Sequence, residues 1–240
     1  SAAQIARFSH SLTERVLSFL QRGKPMSVKI PNGTTFEIAA TLSVPKAFTA
    51  ISNAKPAVLT AAAHGLTDGD VIVIDSAWAK LNGRPARVID SDTGEFSAEG
   101  VDTTSVKSYP VGSGAGTIRE ATGWTQIAQI TEPTANGGEQ QFLTYGFLED
   151  DDDRQLPTNK SASSMTLPVA DDPAQAYVSI VEAADEDKEP RLIRANLPGG
   201  ATIYYYAYVS ITATPTLSRN NIMTRTITLS FASRPTRYNA

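Results

Sequence analysis

Two stretches late in the chain alternate apolar and hydroxyl-bearing residues with a period of two, and this constrains the fold more than any other feature. Ile203, Tyr205, Ala207, Val209, Ile211 and Ala213 fall on one side of an extended strand, with Thr202, Tyr204, Tyr206, Tyr208, Ser210 and Thr212 on the other. Met223, Arg225, Ile227, Leu229 and Phe231 alternate likewise with Thr224, Thr226, Thr228 and Ser230. Successive side chains of a strand point to opposite faces, whereas a helix would scatter this pattern around its axis. Two long antiparallel strands are predicted, each with one face for a core and one hydroxyl face that needs water or a partner. Few charges blunt their borders, so their edges are expected to be satisfied by pairing between copies into a closed barrel.

Upstream the pattern is again that of strands. Residues 34–44 follow the Asn32-Gly33 turn signal and alternate in part. Residues 46–120 change character. Short apolar runs carrying Val71, Val73, Ala86 and Val88 are punctuated by Ala63-His64-Gly65-Leu66, Asp68-Gly69-Asp70, Leu81-Asn82-Gly83 and Thr93-Gly94. Such close hairpin spacing suits a small barrel. Gly112, Gly114 and Gly116 read as a flexible return segment, after which Trp124, Ile127 and Ile130 anchor a further strand. The expected fold is mainly β. Residues 26–45 and 121–240 form one discontinuous β-sandwich with a flanking α-helix, and 46–120 form an inserted small β-barrel surface domain. Ile5, Phe8, Leu12, Val16, Phe19 and Leu20 predict an amphipathic helix over residues 4–21. Residues 1–25 are thus a helical arm, or an expression remnant ahead of a natural start at Met26.

The flanking helix is placed after a strand at Met165 to Val169. Asp172 caps it, Pro173 occupies its first turn and Gln175 completes the capping box. Its last turn carries Asp185, Glu186, Asp187 and Glu189, the wrong sign for the negative end of a helix dipole, so a cation from elsewhere is expected there, and a neighbouring subunit could provide it. Between the strands, residues 149–164 read as a polar loop opening with Glu149, Asp150, Asp151, Asp152, Asp153 and Arg154.

Composition removes most chemistry. The chain has no cysteine and two histidines, which excludes thiol nucleophiles, thiolate metal sites and a multi-histidine zinc centre within one subunit. Twenty-one Lys and Arg against 25 Asp and Glu give a net charge of -4, contrary to a basic clamp on nucleic acid. The Gly112-x-Gly114-x-Gly116 spacing fits neither a dinucleotide nor a phosphate loop, and the aspartate run puts Leu156 and Ala162 where a calcium loop needs Gly and Glu. His64 reads as a turn residue. Tyr204, Tyr205, Tyr206 and Tyr208 alternate across a strand without interleaved cations, so packing is favoured over base stacking. No run is long and apolar enough to span a bilayer. No catalytic set, cofactor or metal site is expected.

Several blocks then carry a family likeness. Gly33-Thr34-Thr35-Phe36, Trp124-Thr125-Gln126-Ile127, the acidic loop from Glu149 to Asp153, Met165-Thr166-Leu167, and Met223 to Thr228 running on to Ser233-Arg234-Pro235-Thr236 occur in an order that resembles the major tail tube proteins of long, non-contractile-tailed bacteriophages, the lambda-like siphophage tail tube family. The 46–120 segment looks like a small β-barrel that decorates phage structural proteins.

The resemblance implies a structural virion protein of the phage tail, assembled in the host cytoplasm. Its subunits would close into hexameric rings stacked into the conduit for DNA ejection. The implied partners are further copies of the chain together with tail tip, terminator and tape-measure proteins, with DNA in transit and no membrane insertion. An acidic chain suits such a conduit, because like charge on the wall keeps the genome from adhering, and a predominantly negative lumen is expected. The candidate inter-subunit or lumen contacts are Glu149, Asp150, Asp151, Asp152, Asp153, Arg154, Asp185, Glu186, Asp187, Thr224, Thr226 and Thr228. The alternative is a tail surface module that binds a host receptor or glycan through residues 46–120.

Overall fold

In the computed structural model, which describes residues 30–239, sixteen strands and one helix are found among the described residues. The helical arm expected at 4–21 lies outside the described residues. From Gly33 onward the chain forms one unit. It begins with β1 (Thr35–Leu42), β2 (Lys46–Phe48), β3 (Ala50–Ile51), β4 (Ala57–Thr60), β5 (Val71–Ser76), β6 (Arg84–Ile89), β7 (Glu95–Ala98) and β8 (Gly116–Ile127). There follow β9 (Thr134–Gly137), β10 (Gln140–Tyr145), β11 (Arg154–Lys160) and β12 (Ser163–Ala170). Helix α1 (Ala176–Asp187), β13 (Arg191–Asn196), β14 (Thr202–Ile211), β15 (Thr224–Phe231) and β16 (Thr236–Tyr238) complete it. The main sheet runs β3-β4-β7-β6-β5-β8-β1-β13-β14-β15-β12-β9, with β16 on β14 and β2 on β8, while β10 and β11 pair only with each other.

The alternating stretches form β14 and β15, joined by a register that sets Val209 against Leu229 and Ser210 against Thr228. Their apolar sides meet Phe36, Ile38, Ile127, Leu167 and Ile193 in one core. Tyr177, Val181 and Ala184 of α1 complete it; their spacing puts them on one helical stripe. Complete burial of Val181 alone contributes about 1.5–3 kcal/mol.

Three expectations change here. The borders of β14 and β15 are not free: β13 flanks β14, and β12 flanks β15. The path ends instead at the four-residue β9 and the two-residue β3. The helix starts later than its capping signal. Asp172 accepts from the Ala174 N–H at 3.1 Å and from the Gln175 side chain at 2.7 Å, but these close a turn ahead of the helix, whose N-cap is Gln175 without a side-chain cap bond. At the other end the cations come from the same chain: Lys188 pairs with Asp185 at 3.2 Å, and Arg191 with Asp187. The turn after α1 folds these two basic residues back over its carboxylates, so the expected cations are supplied within the chain and not by a neighbouring subunit.

The strands between β2 and β8 surround a second core holding Phe48, Leu59, Ile72, Ile74, Trp78, Phe96 and Ile118. β2 lies on β8 and the adjacent β3 lies on β4, so the circuit β8-β5-β6-β7-β4-β3/β2 closes on itself. β8 passes through residues 120 and 121 without a break and belongs to both the circuit and the larger sheet. Gly114 and Gly116, at the start of β8, are not part of a flexible linker. A Cβ at Gly116 would lie 2.0 Å from the Asp75 carbonyl oxygen, and one at Gly114 would meet Ile51 at 2.3 Å. These two positions are glycine because backbone and side chains approach too closely for anything larger.

A third core joins the two parts. The hydroxyl-bearing side of β14 is covered over its first half, where Tyr204 and Tyr206 pack with Ala39, Val71, Val73, Ala121, Leu192 and Tyr238. The tyrosines there are buried, so water is not their partner. β5 serves both cores, with Val71 and Val73 facing one and Ile72 and Ile74 the other.

Candidate functional site

Two exposed features of the fold bring surface chemistry together. The first is the β10–β11 hairpin. Every residue of both strands is exposed, and the pair shares no ladder with the main sheet. Gly137, with φ of +76°, stands at its base where a Cβ would lie 2.0 Å from the Ala162 carbonyl oxygen, so the chain turns out of the sheet at a position only glycine fills. Phe142, Leu143, Tyr145, Phe147 and Leu156 are more than a third exposed, and Leu148 is fully so. Such a concentration of exposed large apolar side chains on a projecting element makes it a candidate interaction surface.

Glu149, Asp150, Asp151, Asp152 and Asp153 form the turn at the end of this hairpin. Arg154 donates to Asp150 at 2.7 Å, and its guanidinium lies 5.7 Å from the Phe147 ring centroid. Asp151, Asp152 and Asp153 have no ion pair among the described residues. The stretch 149–164 is therefore mostly strand, where a polar loop is expected from sequence. Its missing signal is burial: both faces of Gln140–Tyr145 and Arg154–Lys160 meet solvent, so no alternation marks them.

The second feature is the outer half of the sheet's hydroxyl side. Direct pairing puts Asn136, Ser164, Ser230 and Tyr208 in one row, and Thr134, Thr166, Thr228 and Ser210 in the next. None is buried, and none of the eight is ionised at neutral pH. Thr226 stands opposite Pro168 further along β15, and Thr224 bonds through its hydroxyl to that of Thr216 at 2.8 Å. The result is a solvated four-strand face without charge, of which Tyr208, Ser210, Thr226, Thr228 and Ser230 are the part legible beforehand.

The third group, Asp185, Glu186 and Asp187, belongs to neither feature. It closes α1 and is linked to Lys188 and Arg191. Burial acts to raise the Asp187 carboxyl, but the Glu189 N–H and the Arg191 guanidinium outweigh it and hold the group below the usual carboxylate value. No hydrogen bond or ion pair joins the twelve candidate residues into one site among the described residues.

His64 is buried at 2% exposure, with both nitrogens engaged: Nδ1 accepts from the Leu66 N–H at 3.1 Å, and Nε2 donates to the Asp92 carbonyl at 2.6 Å. That pairing fixes the neutral tautomer protonated on Nε2 and leaves no lone pair for proton transfer. Among the described residues no group of three His, Asp or Glu could hold a metal ion, and no helix is long and apolar enough to cross a membrane.

A search of curated proteins finds none that matches the chain. The family described as phage tail tube protein matches residues 76–240, which takes in β6 through β16 and therefore part of the 46–120 segment as well as the whole of the hairpin and the hydroxyl face. That span is more than half the chain, and with a mainly β fold that projects a self-sufficient hairpin, the chain belongs to the phage tail tube protein family and is a structural component of the virion tail.

Proposed function

We propose that this subunit closes into hexameric rings that stack into a hollow tube, through which the genome passes from capsid to host. The observation that carries the reading is the juxtaposition of a projecting, apolar-rich hairpin with a solvated, charge-free sheet face on the same half of the molecule. The hairpin offers a contact to another copy. Because a hairpin and its receptor are different surfaces, the contact is head-to-tail, and such contacts close into rings or propagate as filaments.

The hydroxyl face then lines the bore. A conduit works by not binding what passes, and phosphate backbones adhere to Lys and Arg. The rows at Thr134, Asn136, Ser164, Thr166, Tyr208, Ser210, Thr228 and Ser230 supply no cation. Hydroxyls keep the wall wet, and acidic side chains elsewhere on the chain supply the negative field. Tail tip, terminator and tape-measure proteins would meet the ends and interior of this tube. No catalysed step is part of the role.

Negative-stain microscopy of the purified chain tests the assembly, with hollow rings or tubes of six-fold end view expected. Cysteine placed at Thr228 of assembled tubes should react with a small thiol reagent only through the open ends, because it faces the bore. A solid filament, or a Thr228→Cys tube that reacts uniformly along its outer surface, would overturn the reading.

A further inference from the structure

We propose that the groove at the base of the hairpin is the receptor for the acidic hairpin tip of a second copy of this chain, an inference that rests on the tube reading above. The groove has a volume of about 470 Å³ and is lined by Lys160, Ser161, Ala162, Ser163, Phe231 and Arg234 among others, with no carboxylate among its lining residues. Lys160 and Arg234 are exposed and have no ion pair among the described residues. The floor is apolar at Phe231, which stacks on Tyr205 with ring centroids 5.0 Å apart.

The occupant follows from charge and reach. Asp151, Asp152 and Asp153 are three carboxylates held at a turn without ion pairs among the described residues, while Asp150 is already engaged by Arg154. The tip and the groove lie at opposite ends of one element. β11 has seven residues, so the two are separated by roughly 20 Å of extended strand. A rigid hairpin cannot bring its own tip back to its base, and the complementary charges can meet only between copies. Phe147 and Leu148 beside the tip supply apolar surface to follow the aspartates toward Phe231. Ser161 already accepts from the Glu139 N–H at 3.0 Å, and Ser233 donates to the Gly83 carbonyl at 2.6 Å, so the groove walls are fixed before anything docks.

The absence of cysteine from the chain gives a direct test. Asp152→Cys and Ala162→Cys are introduced into one full-length chain, tubes are assembled and oxidised, and the products are separated without reductant. A ladder of covalent multimers that requires both cysteines is expected. A ladder ending at a fixed size places the contact within a ring, and an unlimited ladder places it between rings; both support the docking. Tubes that form and oxidise without a ladder overturn it and leave the tube reading intact, as does a ladder from Asp152→Cys alone, which signifies tip-to-tip contact. If the unmodified chain gives neither rings nor tubes, in isolation or from assembled virions, the tube reading itself fails. Charge reversal supplies an independent readout. Lys160→Glu with Arg234→Glu should raise the concentration for half-maximal assembly about tenfold or more, and adding Asp151→Lys, Asp152→Lys and Asp153→Lys to the same chain should restore it. Unchanged assembly by the groove variant, with its thermal midpoint intact, overturns the proposal.

Discussion

Arg119 of β8 donates from Nη2 to the Tyr206 hydroxyl of β14 at 2.6 Å while the same guanidinium holds Asp75 of β5 at 3.0 Å. One side chain thus ties the closed strand circuit to the larger sheet across the third core. Tyr206→Phe should lower stability by about 1–2 kcal/mol, since it removes a charged hydrogen bond and leaves the ring packing. Arg119→Ala should cost more, about 3 kcal/mol, because Asp75 loses its cation in a partly buried setting. Thermal melts of the purified chain check both, with midpoints falling by a few degrees per kcal/mol at this size. Equal midpoints for Tyr206→Phe and the native chain would sink the idea. The same junction means that excising 46–120 would expose Tyr204, Tyr206 and Leu192, so point variants separate the roles of the two parts better than deletion.

Tyr238 makes the junction sensitive to alkali. Its hydroxyl accepts from the Arg87 N–H at 2.9 Å and donates to the Glu99 carbonyl at 2.9 Å, and burial pushes its ionisation up to about 12, with the Arg87 N–H working against the rise. The folded state therefore keeps this proton where the unfolded chain, at about 10, gives it up. The contribution is complete below about pH 10 and is lost as pH climbs toward 12, at no more than about 1.4 kcal/mol per unit. Urea unfolding between pH 9 and 12 should show a shallower pH slope for Tyr238→Phe than for the native chain. Identical slopes would show that Tyr238 titrates normally.

What could be read from sequence followed burial. β14 and β15 were legible because the middle of one side of each is buried in the core, so Val209, Ile227 and Leu229 impose a period of two. The short strands β5 and β6 were legible through their turns. The hairpin was not: Gln140–Tyr145 and Arg154–Lys160 face solvent on both sides, and nothing in an isolated subunit forces alternation on them. The hydroxyl face was half legible. Tyr208, Ser210, Thr226, Thr228 and Ser230 could be named, but their neighbours Ser164, Thr166, Asn136 and Thr134 arrive through the order β15-β12-β9, which no local pattern encodes. The free borders assigned to β14 and β15 failed for the same reason, since a strand's neighbours are set by topology.

Glycine tolerance separates a linker from a packed approach. Gly112, with φ of +77° and open space around it, should accept Ala at a cost of about 1 kcal/mol, the strain of a positive φ. Gly116→Ala should cost well over ~2 kcal/mol, because its Cβ would overlap the Asp75 carbonyl oxygen and force β5 from β8. Denaturant midpoints of the two variants decide the matter. Comparable losses would mean that the close approach at Gly116 relaxes freely.

The hairpin allows fold and assembly to be separated. Its strands pair only with each other, and its large apolar side chains are exposed, so the main cores lose nothing when it is removed. Replacing 141–159 with a short Gly-Ser turn should leave the thermal midpoint of the monomer within a few degrees of the native value, as expected for a change of under ~1 kcal/mol. Removing solvent-exposed Phe142, Leu143, Phe147 and Leu148 should, if anything, reduce non-specific association of the isolated subunit. Rings or tubes should nevertheless fail to form, because the head-to-tail contact has lost one of its halves. Circular dichroism melts read the first outcome and electron microscopy the second. Native-like tubes built from the shortened chain would show that the hairpin is dispensable, and the contact between copies would then have to lie on the borders at β9 or β3.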